Sequence, residues 1–315
     1  MARFKYFFNR SMALFLLAIA AGTFLPQGIE IAAALTLPAL TTILTITLLR
    51  MPRGFLRRPG LRFSPAVWGN VLSYLVLGNF IIWSSFFLIR KEGLWAGMVL
   101  VAAVPPAVSI IPLSKLFRTE QKFSFAGLAG AYLGGILFTP LIGLGFLKFI
   151  PLNYFGIILL IVELIALPLI LSRLAVEKEW DKIIKPYEGT ISDWCFFIVF
   201  YALVASSHDL ISQRPLDIFF IFFIAVISTF LIGFAVEKIC AFYGVARGKT
   251  TSLLLLATLK NYALSGGIAL AIFNKDVAIP SMIFIIIMFI YETWLKIRIK
   301  NVIAVPDTKP EQSRV

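Results

Sequence analysis

The stretch from Ala257 to Phe273 reads A-T-L-K-N-Y-A-L-S-G-G-I-A-L-A-I-F and sets the interpretation of the whole chain. Lys260 and Asn261 lie inside a long apolar run, at a depth where a membrane helix normally has aliphatic side chains. Charged and polar groups inside a membrane are costly, so they usually mark a substrate or ion pathway. We therefore expect a solute-binding site here and a break of the helix nearby, the residues concerned being Lys260, Asn261 and Ser265 for the site and Gly266 and Gly267 for the break.

The composition of the chain indicates a membrane protein. Hydrophobic residues make up 60% of the 315 residues, charged residues only 14%, and the mean hydropathy is +0.93. A soluble domain needs more polar side chains to cover its surface. One histidine, His208, and two distant cysteines predict neither a metal site nor a cofactor. The net charge of +13 is scattered between apolar spans, which argues against nucleic acid and leaves membrane lipid and a small-molecule solute as the expected partners.

The hydropathy pattern predicts an all-α polytopic membrane protein with about ten transmembrane helices. Crossing the hydrocarbon core takes about 20 residues of helix, and the sequence divides into ten apolar stretches near that length. The expected helices cover residues 11–26, 31–49, 65–89, 94–114, 124–147, 152–172, 190–207, 216–236, 250–272 and 279–296.

The placement of Lys and Arg predicts the orientation of these helices. Most basic residues fall on one side of the membrane when both termini are cytoplasmic, as the positive-inside rule requires. We therefore expect a multi-pass protein of the bacterial inner membrane or an equivalent membrane. Lys260 is the one basic residue that fits neither side. The opposite side holds only Arg90, Lys91, Lys148, Arg214 and Lys275.

We expect the ten helices to form two inverted repeats of five, a common plan among secondary transporters. Pro105 and Pro106 interrupt the fourth stretch, and the glycine pair weakens the ninth, so these two discontinuous helices should cross near the membrane midplane. The chain then forms one integral membrane unit. It comprises residues 1–172 with the first repeat and the start of the second, a cytoplasmic connector at 173–189, the remaining helices at 190–299 and a cytoplasmic tail at 300–315.

Two interpretations of Lys260 stay open on the residues alone. Its ammonium either binds an anionic group or takes the place of a bound cation at the crossing, or it forms a structural ion pair or extends toward the membrane surface. Glu163 is the one acid well inside a predicted span, so it is a partner of Lys260, a proton carrier or part of a static polar network. Glu292 lies one helical turn before Lys296, which predicts a local ion pair.

Several motifs resemble the bile acid:sodium symporter family. They are L-P-A-L-T-T-I-L at 37–44, the prolines at 105–106, I-V-E-L-I-A-L-P-L at 161–169 and K-N-Y-A-L-S-G-G at 260–267. The resemblance extends over residues 10–300. It implies ten helices arranged as a panel domain and a core domain, two discontinuous helices that cross in the core, and an elevator-like or rocking exchange of access.

The sodium ligands that the resemblance implies are missing from this chain. Where sodium-using members have a glutamate and a glutamine in the ninth helix, this chain has Leu256 and Lys260, and a Ser-Asn pair of the fourth helix is replaced by isoleucines at 110–111. Ser73 stands in place of a glutamine of the third helix, and Asn261 alone survives. A hard cation needs about six oxygen ligands. The resemblance thus implies a sodium-independent protein in which the Lys260 ammonium supplies the lost charge.

These observations predict a secondary transporter that moves a small, anionic organic solute by alternating access, sodium-independent or linked to protons through Lys260 or Glu163. One alternative is a sensor or scaffold that does not transport, which the missing ion ligands favour. Another is a metalloid efflux carrier, although the fourth stretch lacks a cysteine. No Ser/His, paired-aspartate or His-Glu-x-x-His arrangement indicates an enzyme. The expected solute site comprises Lys260, Asn261, Ser265, Ser73 and Ser109.

Overall fold

A computed structural model of the protein describes residues 10–49, 63–147 and 154–303, without the side chains at 63, 154–158, 160–163, 165, 208–213 and 300–303. The regular elements of these ranges are helices. The α-helices are α1 (Arg10–Phe24), α2 (Ile29–Leu49), α3 (Phe63–Asn70), α4 (Asn79–Leu88), α5 (Glu92–Ala103), α6 (Ile110–Leu116), α7 (Gln121–Phe146), α8 (Tyr154–Glu177), α9 (Trp180–Ile184), α10 (Glu188–Gln213), α11 (Pro215–Phe242), α12 (Arg247–Thr258), α13 (Tyr262–Ile272) and α14 (Lys275–Ile303). A π-helix, Val71–Gly78, connects α3 to α4, and a short 3-10 turn, Pro26–Gly28, precedes α2.

Six helical stretches of the described residues are long and apolar enough to cross a membrane. Three shorter apolar helices, α1, α5 and α13, accompany them. This set of long apolar helices is that of a multi-pass integral membrane protein, because each buries its own backbone hydrogen bonds and can face lipid. The six stretches are Pro26–Leu49, Ser64–Leu88, Gln121–Phe146, Glu188–Ser207, Pro215–Phe242 and Lys275–Ile299.

The helices pack in two groups. In the first group, α10 lies against α1 and α2, and α2 also packs against α8. In the second group, α14 packs against α5, α11 and α13, while α7 packs against α3 and α12. The two groups meet where α2 and α10 contact α13, where α10 contacts α14 and α11, and where α8 packs against α7. The expected connector at 173–189 contains the end of α8, the short helix α9 and the start of α10.

Helix α14 is the most enclosed of the six long stretches. Other parts of the protein bury 72% of the most apolar segment of α14, whereas they bury 39–44% of the corresponding segment in each of the other five stretches. A helix that is enclosed on most sides can carry polar side chains only where protein groups meet them, because lipid does not reach its surface. Polar residues of α14 therefore report contacts with neighbouring helices.

Two of the predicted spans are interrupted. The fourth stretch consists of α5 and α6, which are separated by residues 104–109, and the ninth consists of α12 and α13, which are separated by residues 259–261. The ninth stretch is thus interrupted at residues 259–261, before the glycine pair. The expected break at Gly266 and Gly267 is therefore wrong. Both glycines are helical residues of α13.

The glycine pair serves close packing between helices. A Cβ added at Gly266 would lie 2.6 Å from a methyl carbon of Leu203 on α10, and one at Gly267 would lie 2.2 Å from a methyl carbon of Leu40 on α2. Both distances are far below van der Waals contact. The glycines therefore let α13 approach the first group of helices, and the break arises elsewhere.

Candidate functional site

The two interruptions contact each other through their main chains. An isolated antiparallel bridge pairs Pro106 with Lys260. The Asn261 N–H donates to the Pro105 carbonyl over 2.8 Å, and the Ala107 N–H donates to the Leu259 carbonyl over 3.0 Å. The broken helices α5–α6 and α12–α13 therefore meet at this bridge, which we call the crossing.

The sequence explains why the crossing has this pattern. Proline has no N–H and cannot continue a helix, so Pro105 and Pro106 leave neighbouring main-chain groups without helical partners. An unpaired peptide group inside a membrane costs several kcal/mol, by order of magnitude. The Pro105 carbonyl and the Ala107 N–H each find a partner across the bridge. Each interruption thus satisfies main-chain groups of the other.

Lys260 is completely buried at the crossing. Its side chain is 0% exposed, and its Nζ donates to the Ser73 carbonyl over 2.9 Å and to the Ser73 Oγ over 3.0 Å. The same Nζ lies 4.8 Å from the centre of the Tyr74 ring, within range of a cation–π interaction. The lysine therefore turns inward toward the π-helix and does not extend to the membrane surface.

Lys260 has no acidic partner within ion-pair distance among the described side chains. Its hydrogen bonds go to a carbonyl and a hydroxyl of one residue, both of them neutral. The side chain of Glu163, the expected partner or proton carrier, lies outside the described residues. Its helix, α8, packs against α2 and α7. The Lys260 ammonium is thus held by neutral oxygens and an aromatic face.

The π-helix presents two residues to Lys260 at once. Ser73 and Tyr74 are adjacent in the chain and both buried, at 0% and 2% exposure. The Tyr74 hydroxyl donates to the Ala131 carbonyl of α7 over 3.1 Å, which fixes the ring beneath the ammonium. Short π-helical segments are frequent at functional sites because the wider turn redirects side chains and carbonyls. The π-helix therefore supplies both the acceptors and the aromatic face.

Asn261 caps α13 and links it to α7. Its Oδ1 accepts from the Leu264 N–H over 3.2 Å, which satisfies a free donor at the start of α13. Its Nδ2 donates to the Tyr132 hydroxyl over 3.0 Å. Asn261 is predicted as a solute-site residue, and in the structure its side chain caps α13 and binds Tyr132.

The other two serines of the expected solute site lie apart from the Lys260 ammonium. The Ser265 Oγ is bound to the Tyr262 carbonyl over 2.9 Å and lies 2.8 Å from the Ser281 Oγ of α14. Ser109, the last residue before α6, donates to the Glu292 Oε1 over 2.7 Å. The structure thus brings Lys260, Asn261 and Ser73 together and assigns the remaining serines to contacts with α14.

Glu292 does not form the expected local ion pair. Within the described residues, its carboxylate has no ion pair with Lys296 closer than 4 Å, and Ser109 is its hydrogen-bond donor. The residue is only 6% exposed. The helical spacing alone predicts the pair with Lys296, but the packing of α14 buries Glu292 and places Ser109 against its carboxylate.

Three site residues escape the sequence-based prediction, namely Tyr74, Tyr132 and Glu292. Both tyrosines lie in apolar runs where an aromatic residue is unremarkable, and a tyrosine hydroxyl inside such a run is the one available signal. Helix α7 also carries glycines at helical spacing near Tyr132, namely Gly127, Gly130, Gly134 and Gly135. A Cβ at Gly127 would lie 2.5 Å from a methyl carbon of Leu256 on α12, so Gly127 serves close contact between helices.

A small apolar crevice lies beside the crossing, between α2 of the first group and α6 and α7 of the second. It is narrow, with a cavity volume of about 10 Å³, and part of it is open to the surroundings. Tyr132 at its wall carries the hydroxyl that binds Asn261. The crevice is otherwise lined mainly by hydrocarbon, including Leu44, Leu48, Val108, Ile111 and Leu128.

Comparison with known proteins assigns no relative to this chain: no protein-family model matches it, and neither does any curated protein.

Proposed function

We propose that the protein is a sodium-independent secondary transporter of a small organic anion, built from ten membrane helices in two inverted repeats of five. The first repeat comprises α1, α2, the run from α3 through the π-helix to α4, the broken pair α5–α6, and α7. The second comprises α8, α10, α11, the broken pair α12–α13, and α14. An odd number of helices in each repeat gives the two halves opposite orientations in the membrane.

The observation that carries this proposal is the buried ammonium of Lys260 at the crossing of two broken helices. Burying an unpaired charge costs several kcal/mol, so a fold retains one where it serves a function. Helix α12 ends at Thr258, two residues before Lys260, and the negative end of its dipole favours a cation there. An ammonium at this point does the work of a bound sodium ion without needing its ligands.

The division of the helices into two groups also supports the proposal. The resemblance to the bile acid:sodium symporter family implies a panel and a core that move relative to one another, and the first and second groups correspond to these. The apolar crevice lies between them and ends at Tyr132. The crevice is too narrow for an organic anion as it stands, so transport requires it to widen as the two groups of helices move apart. Its hydrocarbon wall then buries the apolar body of the solute while the anionic head approaches the charge at the crossing.

Removal of the charge tests the proposal. Purified protein in proteoliposomes is supplied with a panel of radiolabelled aliphatic carboxylates, sulfonates and steroid acids. We expect Lys260→Gln and Lys260→Ala to lower uptake more than about tenfold, because a charged hydrogen bond contributes about 1.5–3 kcal/mol. Lys249→Gln, on the same broken helix but with its Nζ over the Phe123 ring, is the matched control. Normal uptake by both Lys260 variants rejects the proposal.

Sodium dependence gives an independent test. Thermal unfolding in detergent is followed with the same anions, in sodium buffer and in choline buffer. We expect anion-induced stabilisation to be equal in the two buffers, because a bound ligand stabilises the folded state whether or not sodium is present. A stabilisation that requires sodium contradicts the role of Lys260 as the built-in cation.

A sensor or scaffold is the second candidate, and one observation favours it. At the crossing, the polar side chains of Lys260 and Asn261 are already bound by groups of the protein itself. A site satisfied in this way has less need of a solute. A protein that no anion of the panel stabilises, and that co-purifies in constant ratio with one membrane protein, fits this candidate and not the transporter.

A further inference from the structure

Glu292 is a buried acid on the most enclosed helix of the protein. Glu292 is 6% exposed. Other parts of the protein bury 72% of the most apolar segment of α14. Among the described side chains, Lys260 is the other buried charged residue. The transport mechanism proposed above uses Lys260 and leaves Glu292 without a role.

The contacts of Glu292 connect it to the interruption between α5 and α6. The Ser109 Oγ donates to the Glu292 Oε1 over 2.7 Å, and Ser109 is the last residue of the interruption. Three residues earlier in the chain, Pro106 forms the bridge with Lys260. The carboxylate is thus bound to the same interruption that makes the crossing.

The charged groups around Glu292 leave it without an ion pair in the described part of the chain. Lys296, on α14 itself, contributes a favourable charge from beyond 4 Å. Arg298, also on α14, binds Glu237 of α11, and Asp193 of α10 accepts from Ser11 and pairs with Arg10. Helix α13 carries no charged residue. Other charged or titratable residues on the neighbouring elements are Glu92 on α5, Lys115 on α6, Glu188, Cys195, Tyr201, His208 and Asp209 on α10, Asp217, Lys238 and Cys240 on α11, and Tyr262 on α13, and α14 itself also carries Lys275, Asp276, Tyr291 and Lys300.

A carboxyl group in this environment can keep its hydrogen bond to Ser109 both as a carboxylate and as a carboxylic acid. As a carboxylate it accepts the hydrogen bond from Ser109, which partly offsets the loss of hydration. As a carboxylic acid it avoids the burial of charge and can itself donate to the Ser109 Oγ, so the contact survives with its direction reversed. A buried acid with one neutral donor and no ion pair is therefore suited to take up and release a proton.

We propose that Glu292 is the proton-binding site of this protein and that Ser109 transmits its protonation state to the interruption between α5 and α6. One proton adds to a carboxylate oxygen and leaves from it, and no other bond is broken. Together with the proposed transport function, on which this role rests, the site couples solute movement to protons. In this scheme Lys260 supplies the cation of the proposed solute site, and Glu292 carries the exchangeable proton.

Infrared spectroscopy tests the site without any solute. Detergent-solubilised protein is titrated from acidic to alkaline buffer while the C=O stretching band of protonated carboxylic acids is recorded. We expect a band that disappears as the pH rises and that is absent from Glu292→Gln. The matched control is Glu237→Gln, which removes an acid bound by Arg298 and should leave that band in place.

Ser109→Ala provides a second measurement should Glu292→Gln fail to fold. Loss of the donor disfavours the carboxylate, so the band should persist to higher pH than in the wild-type protein. A band that is unchanged in both variants overturns the proposal, as does a Glu292 band that does not respond to pH.

Transport measurements separate this proposal from the one it rests on. In proteoliposomes, an imposed pH gradient should drive accumulation of the transported anion by wild-type protein, and Glu292→Gln should lose this dependence on the gradient. Uptake that ignores the gradient in wild-type protein overturns the coupling role of Glu292 while the transporter proposal stands. Absence of uptake for every anion rejects transport itself, and with it the coupling role.

Discussion

Lys260 and Glu292 are both buried charges next to the same pair of broken helices, but they are held in different ways. Lys260 donates to two oxygens of Ser73 and lies over the Tyr74 ring, and its own main chain forms the bridge. Among the described residues, Glu292 has one hydrogen-bond donor, Ser109, and takes no main-chain part in the crossing. We base on this difference in partners the proposal that Lys260 keeps its charge and Glu292 exchanges its proton.

The physical reason is the cost of leaving a buried charge without compensation. Several contacts to one charged form stabilise that form strongly, and loss of any single contact leaves the others in place. A single contact stabilises the charged form only modestly, so the neutral form stays accessible. Lys260 therefore acts as part of the framework, whereas Glu292 is suited to respond to its surroundings. Three substitutions test this contrast, beside those of Lys260 and Glu292 described above.

Ala107→Pro should have the largest effect, because it breaks the crossing itself. The substitution removes the N–H that donates to the Leu259 carbonyl and leaves that carbonyl without its partner. We expect the free energy of unfolding to fall by about 3 kcal/mol or more. Chemical unfolding in detergent measures the change. Ala107→Gly keeps the N–H and is the control, expected to cost about 1 kcal/mol or less; equal losses in the two variants would show that the bridge contributes little.

Ser109→Ala should have an intermediate effect that depends on pH. At alkaline pH it removes the described donor of a charged Glu292 and should cost about 2 kcal/mol. The Ser109 hydrogen bond stabilises the carboxylate, so its contribution is present above the pH at which Glu292 binds a proton and declines below it. Unfolding measured across a pH series checks this, and a loss that is the same at every pH argues against proton exchange at Glu292.

Ser73→Ala should have the smallest effect. The substitution removes the hydroxyl from Lys260, but the Ser73 carbonyl and the Tyr74 ring remain. We expect a cost of about 1 kcal/mol or less, with no dependence on pH. The same unfolding series measures it beside Ser109→Ala. A larger loss here than at Ser109 would reverse the contrast between the fixed and the responsive charge.

Much of the helical framework follows from the sequence, because a length of apolar residues is a local property. The interruption at Pro105 and Pro106 is equally local, since a proline breaks a helix wherever it stands. The position of the break after Thr258 depends instead on contacts with residues that are distant in the chain. Gly266 and Gly267 have the lower helix propensity, yet they stay helical because Leu203 and Leu40 pack against them, and the bridge places the break at Leu259–Asn261 instead.

The sequence by itself determined that this chain is helical, with apolar stretches long enough to span a membrane, and that Lys260 and Asn261 lie deep in one of these stretches. Periodic hydropathy and the cost of burying charge suffice for both conclusions. Only the tertiary structure decided what these residues touch. Ser73 is 187 residues from Lys260 in the chain, and Ser109 is 183 residues from Glu292, so neither pair leaves a local pattern. Lys260, in the stretch from Ala257 to Phe273, is held by its distant contact with Ser73, and Glu292 is connected to the crossing by its distant contact with Ser109.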